Sequence, residues 1–335
     1  MMNTNIAFNI SSNFGPVGPG PRPPTSLVNT ISTSVGATSG GYLVIGTHPD
    51  TTGLLGCSVD GVPLDSFTIL DGTSFQGTMP AFESPGFYNV TVSNEDGESA
   101  PLIHGWRAWD PTVISSQLAA WWDPSDSENT TIVVRFFVRY FAGIADKSGN
   151  GQDAVQLTAA NQPGYWPVSV SSGTLPAWAT GDNLFFDIQD FDNSLTESEI
   201  FVLRVLDPDP PDTQIAQWWL GKGDSAIPDE SDVIADAFGS TAVHTSGVVS
   251  FGTDPHVYSC ISSATEWSAF INFEQVYTTA TNTVGFDSQA KLGVGKVTTN
   301  SGTAYIGEIL MCNRKLSSAD RANVQSYYAT KWGPA

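Results

Sequence analysis

The sequence predicts an all-β protein: an extended amino-terminal arm, a small sandwich, and a larger sandwich that ends in one short helix. Three observations support this fold class. Short apolar runs alternate with turn residues, and the 335 residues include 32 Gly and 21 Pro. Hydrophobic residues make up 40% and charged residues 14%, which is ample for a core. A helical period appears only after residue 317.

Residues 1–26 are predicted to be an extended arm. The stretch from Gly15 to Pro24 is rich in Pro and Gly, and proline lacks the backbone N–H that helices and central strands need. Two interpretations stay open: a flexible linker, or an attachment arm that becomes ordered along a neighbouring subunit. In the second interpretation Phe14 and Arg22 are the candidate contact residues.

Residues 27–106 are predicted to form the small sandwich. Alternating runs at 41–45, 56–59, 66–70 and 86–92 are predicted strands, and their spacing is that of an immunoglobulin-like unit. Asp60-Gly61 and Asp71-Gly72 are dipeptides typical of hairpin turns.

Three short segments of this unit resemble the IPT/TIG family of immunoglobulin-like domains: Cys57 to Val62, Thr78 to Pro80, and Pro85 to Asn94. Such domains mostly act as spacers or docking modules. The resemblance therefore implies no chemistry in this part of the chain.

Residues 107–335 are predicted to form the larger sandwich. Its strongest signal is 131–141, predicted as one continuous strand with Arg135, Phe137 and Arg139 on the same face. Further strands are predicted at 200–206, 214–220, 257–261 and 269–273.

The end of the chain predicts a strand that leads into a capped helix. In the strand, Ile306, Leu310 and Cys312 are expected on one face, and the opposite face is also apolar, so the strand should be internal. Ser317 can cap the helix, and Gly333 can end it. The buried stripe is predicted to be Val324, Tyr328 and Trp332.

Three segments of the larger unit together resemble concanavalin A-like (laminin G-like) jelly-roll domains of phage and bacterial surface proteins. They are Leu118 to Asp126, Ile144 to Ala154, and Tyr305 to Gly333. The resemblance implies two stacked antiparallel sheets, a tight turn near Asp146, and a last strand that leads to a short terminal helix.

The charge balance limits the partners. With 13 basic and 34 acidic side chains the formal charge is -21, which repels phosphate backbones and anionic lipids. We therefore expect no nucleic-acid partner. No membrane insertion is expected either, because no run of eighteen consecutive apolar residues occurs. The acids are interpreted as a solubilising surface, with calcium binding as an alternative. The candidate metal ligands are Asp123, Asp126, Asp190 and Asp192.

The three cysteines, Cys57, Cys260 and Cys312, are too few and too scattered for a disulfide framework or a zinc site. Each lies in an apolar run, which predicts a small buried side chain. One bridge, between Cys260 and Cys312, is left open.

Catalytic patterns are missing from the sequence. Jelly-roll glycosidases carry a Glu-x-Asp-x-x-Glu strand, and the nearest approximations are the acid pairs at 190/192 and 197/199. There is no Gly-x-Ser-x-Gly elbow, no His-Glu-x-x-His pair and no phosphate loop. A non-enzymatic protein is therefore predicted.

Tryptophans are the candidate glycan contacts. Two adjacent pairs, 121–122 and 218–219, lie in predicted strands, so one ring of each pair is expected to point outwards. Two further tryptophans lie among Pro and Gly. The candidates are Trp122, Trp166, Trp178 and Trp219.

The sequence as a whole favours a phage virion protein on the particle surface, either a capsid decoration or a fibre-type protein, with weak attachment to a host surface glycan. Its expected partners are the major capsid protein or another virion protein, and further copies of itself. No secretory signal is expected, because the first ten residues contain no basic residue and no apolar core. The alternatives are a secreted bacterial carbohydrate-binding or adhesion module and a divergent jelly-roll glycosidase.

Overall fold

The computed structural model describes residues 30–31, 35–37, 40–41, 43–99, 101–170, 173–180, 184–206, 218–221, 233–248, 255–292 and 304–333. The predicted arm, with Phe14 and Arg22, lies outside the described residues. Across the described ranges the protein is all-β, as predicted, with 26 strands, two short 3-10 helices and one α-helix.

Ten described strands form the amino-terminal unit. They are β1 Thr30–Ile31, β2 Val35–Ala37, β3 Leu43–Thr47, β4 Gly56–Val59, β5 Val62–Pro63, β6 Ser66–Ile69, β7 Ser74–Thr78, β8 Gly86–Asn94, β9 Gly97–Glu98 and β10 Leu102–Trp109. One sheet has the order β1-β3-β7-β6, and the other has β2-β10-β8-β4-β5, with β9 paired to β8. Val44 and Phe75 of the first sheet share one buried cluster with Val90 and Val92 of the second, so the two sheets form a sandwich.

The predicted strands and turns of this unit are confirmed, with ends that shift by one or two residues. Asp60 and Gly61 link β4 to β5 with φ values of 46° and 79°. Two positive φ angles mark the type I′ hairpin turn that an Asp-Gly dipeptide favours. The predicted domain boundary at residue 106 falls inside β10, three residues before its end.

Sixteen described strands form the larger unit. They are β11 Leu118–Trp122, β12 Thr130–Arg135, β13 Val138–Ile144, β14 Ala154–Val155, β15 Gly164–Val170, β16 Gly173–Thr180, β17 Phe186–Ile188, β18 Glu197–Leu206, β19 Trp218–Gly221, β20 Val233–Asp236, β21 His244–Val248, β22 His256–Ser263, β23 Glu266–Ile271, β24 Glu274–Thr279, β25 Phe286–Leu292 and β26 Ala304–Cys312. The 3-10 helices are Pro111–Gln117 and Ala159–Asn161, and α1 is Ser318–Trp332.

Fourteen of these strands form one sheet in the order β19-β25-β17-β14-β13-β15-β16-β26-β18-β22-β23-β24, with β11 on β26 and β12 on β13. Strands that stand far apart in this order meet in a single core: Phe186 of β17 and Phe286 of β25 share it with Tyr258 of β22. The sheet therefore curls over, and its two halves enclose the core as the layers of a sandwich.

The predicted continuous strand at 131–141 is wrong. The chain reverses at Phe136 and Phe137, whose φ values are 49° and 68°, and β12 pairs with β13 as a hairpin in which Arg135 faces Val138. The prediction failed because turns of this kind normally carry Asn or Gly, and a Phe-Phe dipeptide gives no turn signal.

Strand β26 is internal, as predicted, with β18 on one side and β11 and β16 on the other. Its predicted faces are wrong at one point. Leu203 pairs with Glu308 while Arg204 pairs with Ile306, so Gly307 is an extra, bulged residue. The bulge moves Ile306 onto the core face with Ile309 and Met311.

Helix α1 has the predicted ends. Ser317 accepts a hydrogen bond from the Asp320 backbone N–H at 3.1 Å, and Gly333 ends the helix with φ 71°. Val324, Tyr328 and Trp332 form the predicted buried stripe. No helix in the described part of the chain is long and apolar enough to cross a membrane.

The helix joins the two units. It packs on the outer face of the main sheet, which is the face turned away from the sandwich core, and β2 of the amino-terminal unit lies against it. One buried cluster contains Val44 and Val90 of the first unit, Leu310 of β26, and Tyr327 of α1. The ring of Trp109, at the end of β10, meets Tyr327 edge to face at 5.7 Å. The units are thus fixed to each other through the helix.

The Gly307 bulge generates a prediction about stability. A Cβ atom at position 307 would lie 2.5 Å from Leu203 Cδ2 and 2.8 Å from the Trp332 ring. We expect Gly307→Ala to lower the free energy of unfolding by about 1–3 kcal/mol, because the helix would have to shift. Urea unfolding measures this. Gly247→Ala is the matched control, since nothing lies within 4 Å of its added Cβ; equal losses in both variants would contradict the close packing of the helix.

Candidate functional site

A polar cleft of about 250 Å³ opens beside the carboxyl-terminal part of α1. Its wall combines four places in the chain: the residue after β10, the end of β11 with the loop that follows it, the turn after β13, and the last turns of the helix. The lining residues are Asp110, Trp121, Asp123, Ser125, Asp126, Lys147, Tyr327 and Lys331. Because drug-sized ligands occupy roughly 300–1,000 Å³, this cleft suits one small polar group.

Below the cleft lies Glu308, which is fully buried on the helix-facing side of β26. Its Oε1 accepts hydrogen bonds from Trp121 Nε1 at 2.6 Å and from the Tyr327 hydroxyl at 2.8 Å. Its Oε2 accepts from Trp332 Nε1 at 2.8 Å and from Lys331 Nζ at 3.0 Å. A buried carboxylate with four hydrogen-bond donors, one of them a lysine ammonium group, is well solvated by the protein.

Two lysines connect the carboxylates into a chain. Lys331 Nζ lies 3.0 Å from Glu308 and 2.8 Å from Asp123. Lys147 Nζ lies 3.1 Å from Asp123 and 2.8 Å from Asp126, and it sits 4.2 Å from the centre of the Trp121 ring. We call Glu308, Lys331, Asp123, Lys147 and Asp126 the charge chain.

The charge chain keeps its aspartates ionised. Burial acts to raise the pKa of Asp123, but attraction to Lys331 and Lys147 outweighs it and holds the pKa below the ordinary value of 3.8. For Asp126, partial burial is outweighed by hydrogen bonds from Lys147 and Asn129, which also lower its pKa. Burial beside Glu308 raises the pKa of Tyr327 well above 10.0, so its hydroxyl stays protonated.

Local hydrogen bonds place the cleft residues. Asp123 accepts from the Ser125 backbone N–H at 3.0 Å and from its hydroxyl at 2.6 Å, as expected of an Asp-Pro-Ser turn. Asp146 accepts from the Trp121 N–H at 2.9 Å, and the Lys147 N–H donates to the Trp121 carbonyl at 2.9 Å. The turn predicted near Asp146 is thus fastened to β11, which fixes where Lys147 points.

The prediction that Asp123 and Asp126 bind calcium is wrong. Asp123 and Asp126 lie together, but lysine ammonium groups occupy the position that a cation would take. Asp190 and Asp192 are exposed, and Asp192 accepts from the Ser194 N–H at 2.9 Å. Within the described ranges, no three His, Cys, Asp or Glu side chains form a group suited to a metal.

The predicted glycan contacts divide into buried and exposed. Trp122 and Trp178 are fully buried, so neither can stack on a ligand. The expectation of one outward ring at 121–122 fails because both faces of β11 are covered, by the sandwich core on one side and by α1 on the other. Trp166 is 47% exposed and stacks on Tyr305 at 4.7 Å. The side chain of Trp219 lies outside the described residues.

The acids of the glycosidase alternative do not form a catalytic pair. Asp192 lies on an exposed loop, where hydrogen bonds from Ser194 lower its pKa. Glu199 is fully buried beneath the start of α1, where burial raises its pKa. Arg321 Nε lies 2.7 Å from Glu199 Oε1, and Oε2 accepts from the Leu316 N–H at 2.8 Å. Both carboxylate oxygens of Glu199 are therefore occupied.

The three cysteines are buried free thiols, so the bridge left open between Cys260 and Cys312 is absent. Burial raises the pKa of Cys57 to about 12. The other two thiols also have raised pKa values, because they are fully buried. All three are packing residues with little nucleophilic character.

Sequence reasoning missed Glu308, Lys147 and Lys331. A signal existed for Glu308, since it is the single charged residue in the apolar strand β26, and a charge in an internal strand requires buried partners. Lys331 carried a weaker signal: it follows Tyr327 by four residues and thus shares a helix face with it.

No family model matches the chain, and no curated protein matches it. Among solved structures it is similar to the binding domain of Paraclostridial Mosquitocidal Protein 1, with 11% identity over 66% of this chain and 56% of that chain, TM-score 0.45. A structure of botulinum neurotoxin type C gives 7% identity, 64% and 52% coverage and TM-score 0.45. A mutant GH54 α-L-arabinofuranosidase gives 13% identity, 62% and 58% coverage and TM-score 0.46.

The chain spans a little over half the length of these structures. Nothing about its function follows from likenesses of this size.

The charge chain predicts a large effect of one substitution. Lys331→Met leaves the buried Glu308 without its cation, while Asp123 keeps only Lys147, so we expect a loss of about 3–5 kcal/mol in unfolding free energy. Urea unfolding measures it. Lys315→Met is the matched control, because Lys315 makes an ion pair at 2.5 Å with Glu266 on the surface. The unfolding free energy of this variant should fall by less than about 1 kcal/mol. Similar losses in the two variants would rule out the buried network as a source of stability.

The lowered aspartate pKa values predict the pH dependence. Asp126 has a folded pKa below the unfolded value of about 3.8, so its contribution is present above that pH and is lost as the pH falls below it. The unfolding free energy should fall from about pH 5 to about pH 3, and the fall should be smaller in Asp126→Asn. The wild type and the variant share all other acidic residues, so the contributions of those residues to the pH dependence cancel when the two profiles are compared. Parallel pH profiles would contradict the assignment.

Proposed function

We propose that the chain is a non-enzymatic binding protein on the surface of a phage virion, and that its larger sandwich attaches weakly to a host glycan. The observation that carries the glycan proposal is the exposed Trp166 ring, held flat by Tyr305, on the outer face of the sheet that also bears the polar cleft. An aromatic plate with charged hydrogen-bonding groups beside it suits the two faces of a sugar, one apolar and one hydroxylated.

The Trp166 ring, called the plate below, and the cleft are close enough for one oligosaccharide to contact both. Tyr305, beneath the plate, and Glu308, beneath the cleft, are three residues apart on β26, which is roughly 10 Å along a strand. Lys147 donates from the cleft, while Ser125 and Asp126 accept. Lys147 and Asp126 are already paired with each other, so a sugar hydroxyl would compete with an existing ion pair, and the proposed interaction is weak.

The same cleft is unsuited to glycoside hydrolysis. A glycosidase needs one carboxyl group that is protonated at working pH and a second one opposite it. The pKa values of Asp123 and Asp126 are lowered and both groups are held by lysines. This favours binding over catalysis.

The amino-terminal part is proposed to attach the protein to the particle. The sandwich at 30–109 would act as an IPT/TIG-type docking module, with the arm and its Phe14 and Arg22 contacting a major capsid protein, another virion protein or a second copy. The helix that joins the units would hold the glycan-binding face at a fixed angle to the particle. Mass spectrometry of purified virions tests this, and absence of the chain from them would end the virion proposal.

Glycan binding is tested on a glycan array with the soluble full-length protein. Trp166→Ala should reduce binding at least tenfold, because the stacking surface is lost, while its thermal unfolding should change little. Phe87→Thr is the control, since Phe87 is an exposed aromatic side chain of the amino-terminal unit; it should bind as the wild type does. If Trp166→Ala binds glycans as tightly as the wild type, the Trp166 ring is not part of the glycan-binding site.

Two other outcomes would select the alternatives. Glycan binding by a protein that never appears on particles would favour a secreted adhesion module. Release of reducing sugar that disappears in Asp192→Asn or Glu199→Gln would establish a glycosidase.

A further inference from the structure

The hairpin formed by β12 and β13 ends in two phenylalanine side chains that are almost fully exposed. Phe136 is 97% exposed and Phe137 is 102% exposed. Val134 and Val138, next to them in the strands, are also exposed. The two valines lie on opposite faces of the hairpin, since Val134 pairs with Arg139 and Val138 pairs with Arg135. Single exposed apolar residues are ordinary on protein surfaces, but two adjacent exposed phenylalanine rings at a hairpin tip mark a contact site.

The backbone at this tip is strained for the residues that occupy it. Positive φ angles at Phe136 and Phe137 are unfavourable for side chains with a bulky Cβ substituent. Asn-Gly is the usual pair in this turn. Strain that local folding does not require points to a function.

A second hairpin in the same chain serves as an internal comparison. Asn272 and Phe273 link β23 to β24 with φ values of 48° and 68°. There the first position is Asn, and the Phe273 ring folds back and stacks on Phe201 at 5.9 Å. The same turn can therefore pack its phenylalanine against the core and partly cover it, whereas at 136–137 both rings project into solvent.

The tip is basic in an acidic protein. Arg135 and Arg139 flank it, and no acidic residue occurs from 129 to 145, although the chain has 34 acids against 13 bases. Arg135 lies 4.2 Å from the centre of the Tyr140 ring and donates to the Ala159 carbonyl at 2.5 Å. Arg139 lies 5.3 Å from the centre of the Tyr165 ring. Both guanidinium groups are held beside the base of the tip.

We propose that this hairpin tip inserts into the interfacial layer of an anionic lipid bilayer. Phe136 and Phe137 enter the boundary between head groups and acyl chains, and Arg135 and Arg139 pair with lipid phosphates. Leu157, 89% exposed on the loop that Arg135 binds, adds an apolar contact beside them. The chain touches one leaflet and does not cross the membrane.

The overall charge of -21 does not prevent this contact. Phe137 lies three residues from Tyr140, the residue of β13 that pairs with β15, which places the tip roughly 10 Å beyond that pairing. The Debye length is about 8 Å at physiological ionic strength, so salt screens most of the repulsion from the acidic body. The net charge is a sum over the whole chain, whereas a lipid surface meets only the tip. The expectation of no membrane insertion concerned a segment that crosses the bilayer, which this contact does not require.

The area of the tip favours lipid over a protein partner. Two phenylalanine rings bury about 300–500 Å², whereas a stable protein interface buries about 800 Å² on each side. The two arginines without neighbouring acids match a phosphate-rich surface.

The test is sedimentation of the full-length protein with vesicles of phosphatidylcholine alone and of phosphatidylcholine mixed equally with phosphatidylglycerol. The wild type should sediment with the mixed vesicles. The double variant Phe136→Asn/Phe137→Gly should bind at least tenfold less. Because Asn-Gly suits the turn, this variant should unfold at the same or a higher temperature, so its lost binding cannot come from misfolding. Phe87→Thr should bind as the wild type does.

A charge variant examines the second half of the proposal. Arg135→Gln/Arg139→Gln should remove the preference for the mixed vesicles. No sedimentation of the wild type, or equal sedimentation of the Asn-Gly variant, would overturn the proposal. A change in oligomeric state in that variant, without vesicle binding, would assign the tip to a second copy instead. The vesicles carry no glycan, so the result is independent of glycan binding by Trp166.

Discussion

The ion pairs of Lys331 are the interaction on which the arrangement of this protein depends. Its ammonium group, on the last turns of α1, binds Glu308 from the sheet and Asp123 from the loop after β11. Unpaired, each of these buried charges would cost several kcal/mol. The three groups therefore fix the helix in one position on the sheet, and its other side supplies the surface on which the amino-terminal unit packs.

The same interaction limits the chemistry of the cleft. Carboxylates that neutralise lysines are strong hydrogen-bond acceptors but poor proton donors, because their pKa values are held low. A polar wall of paired carboxylates and lysines can bind hydroxyl groups and release them again. Structural and binding roles are thus compatible in one set of residues, whereas an acid catalyst would require one of these pairs to be broken.

The same unfavourable turn occurs in two hairpins of the larger unit, and its phenylalanine side chains have different surroundings in each. At Asn272–Phe273 the unfavourable backbone is compensated by packing on Phe201. At Phe136–Phe137 both rings are exposed, so among the described residues the pairing of β12 with β13 is what holds the turn. Rings that these residues leave uncovered are available to the proposed lipid surface, and the arginines beside the tip match its charge.

By itself the sequence determined the all-β class, the Asp-Gly hairpin at 60–61, and both ends and the buried stripe of α1. Each of these depends on residues within a few positions of one another, where alternation, turn preference and capping act directly. The tertiary structure decided the bulge at Gly307, the burial of both rings at 121–122, and the charge chain. Lys331 and Asp123 are 208 residues apart, and only the folded sheet brings them together. It also decided the Phe-Phe turn, because pairing along the whole hairpin overrides the local preference of two bulky residues.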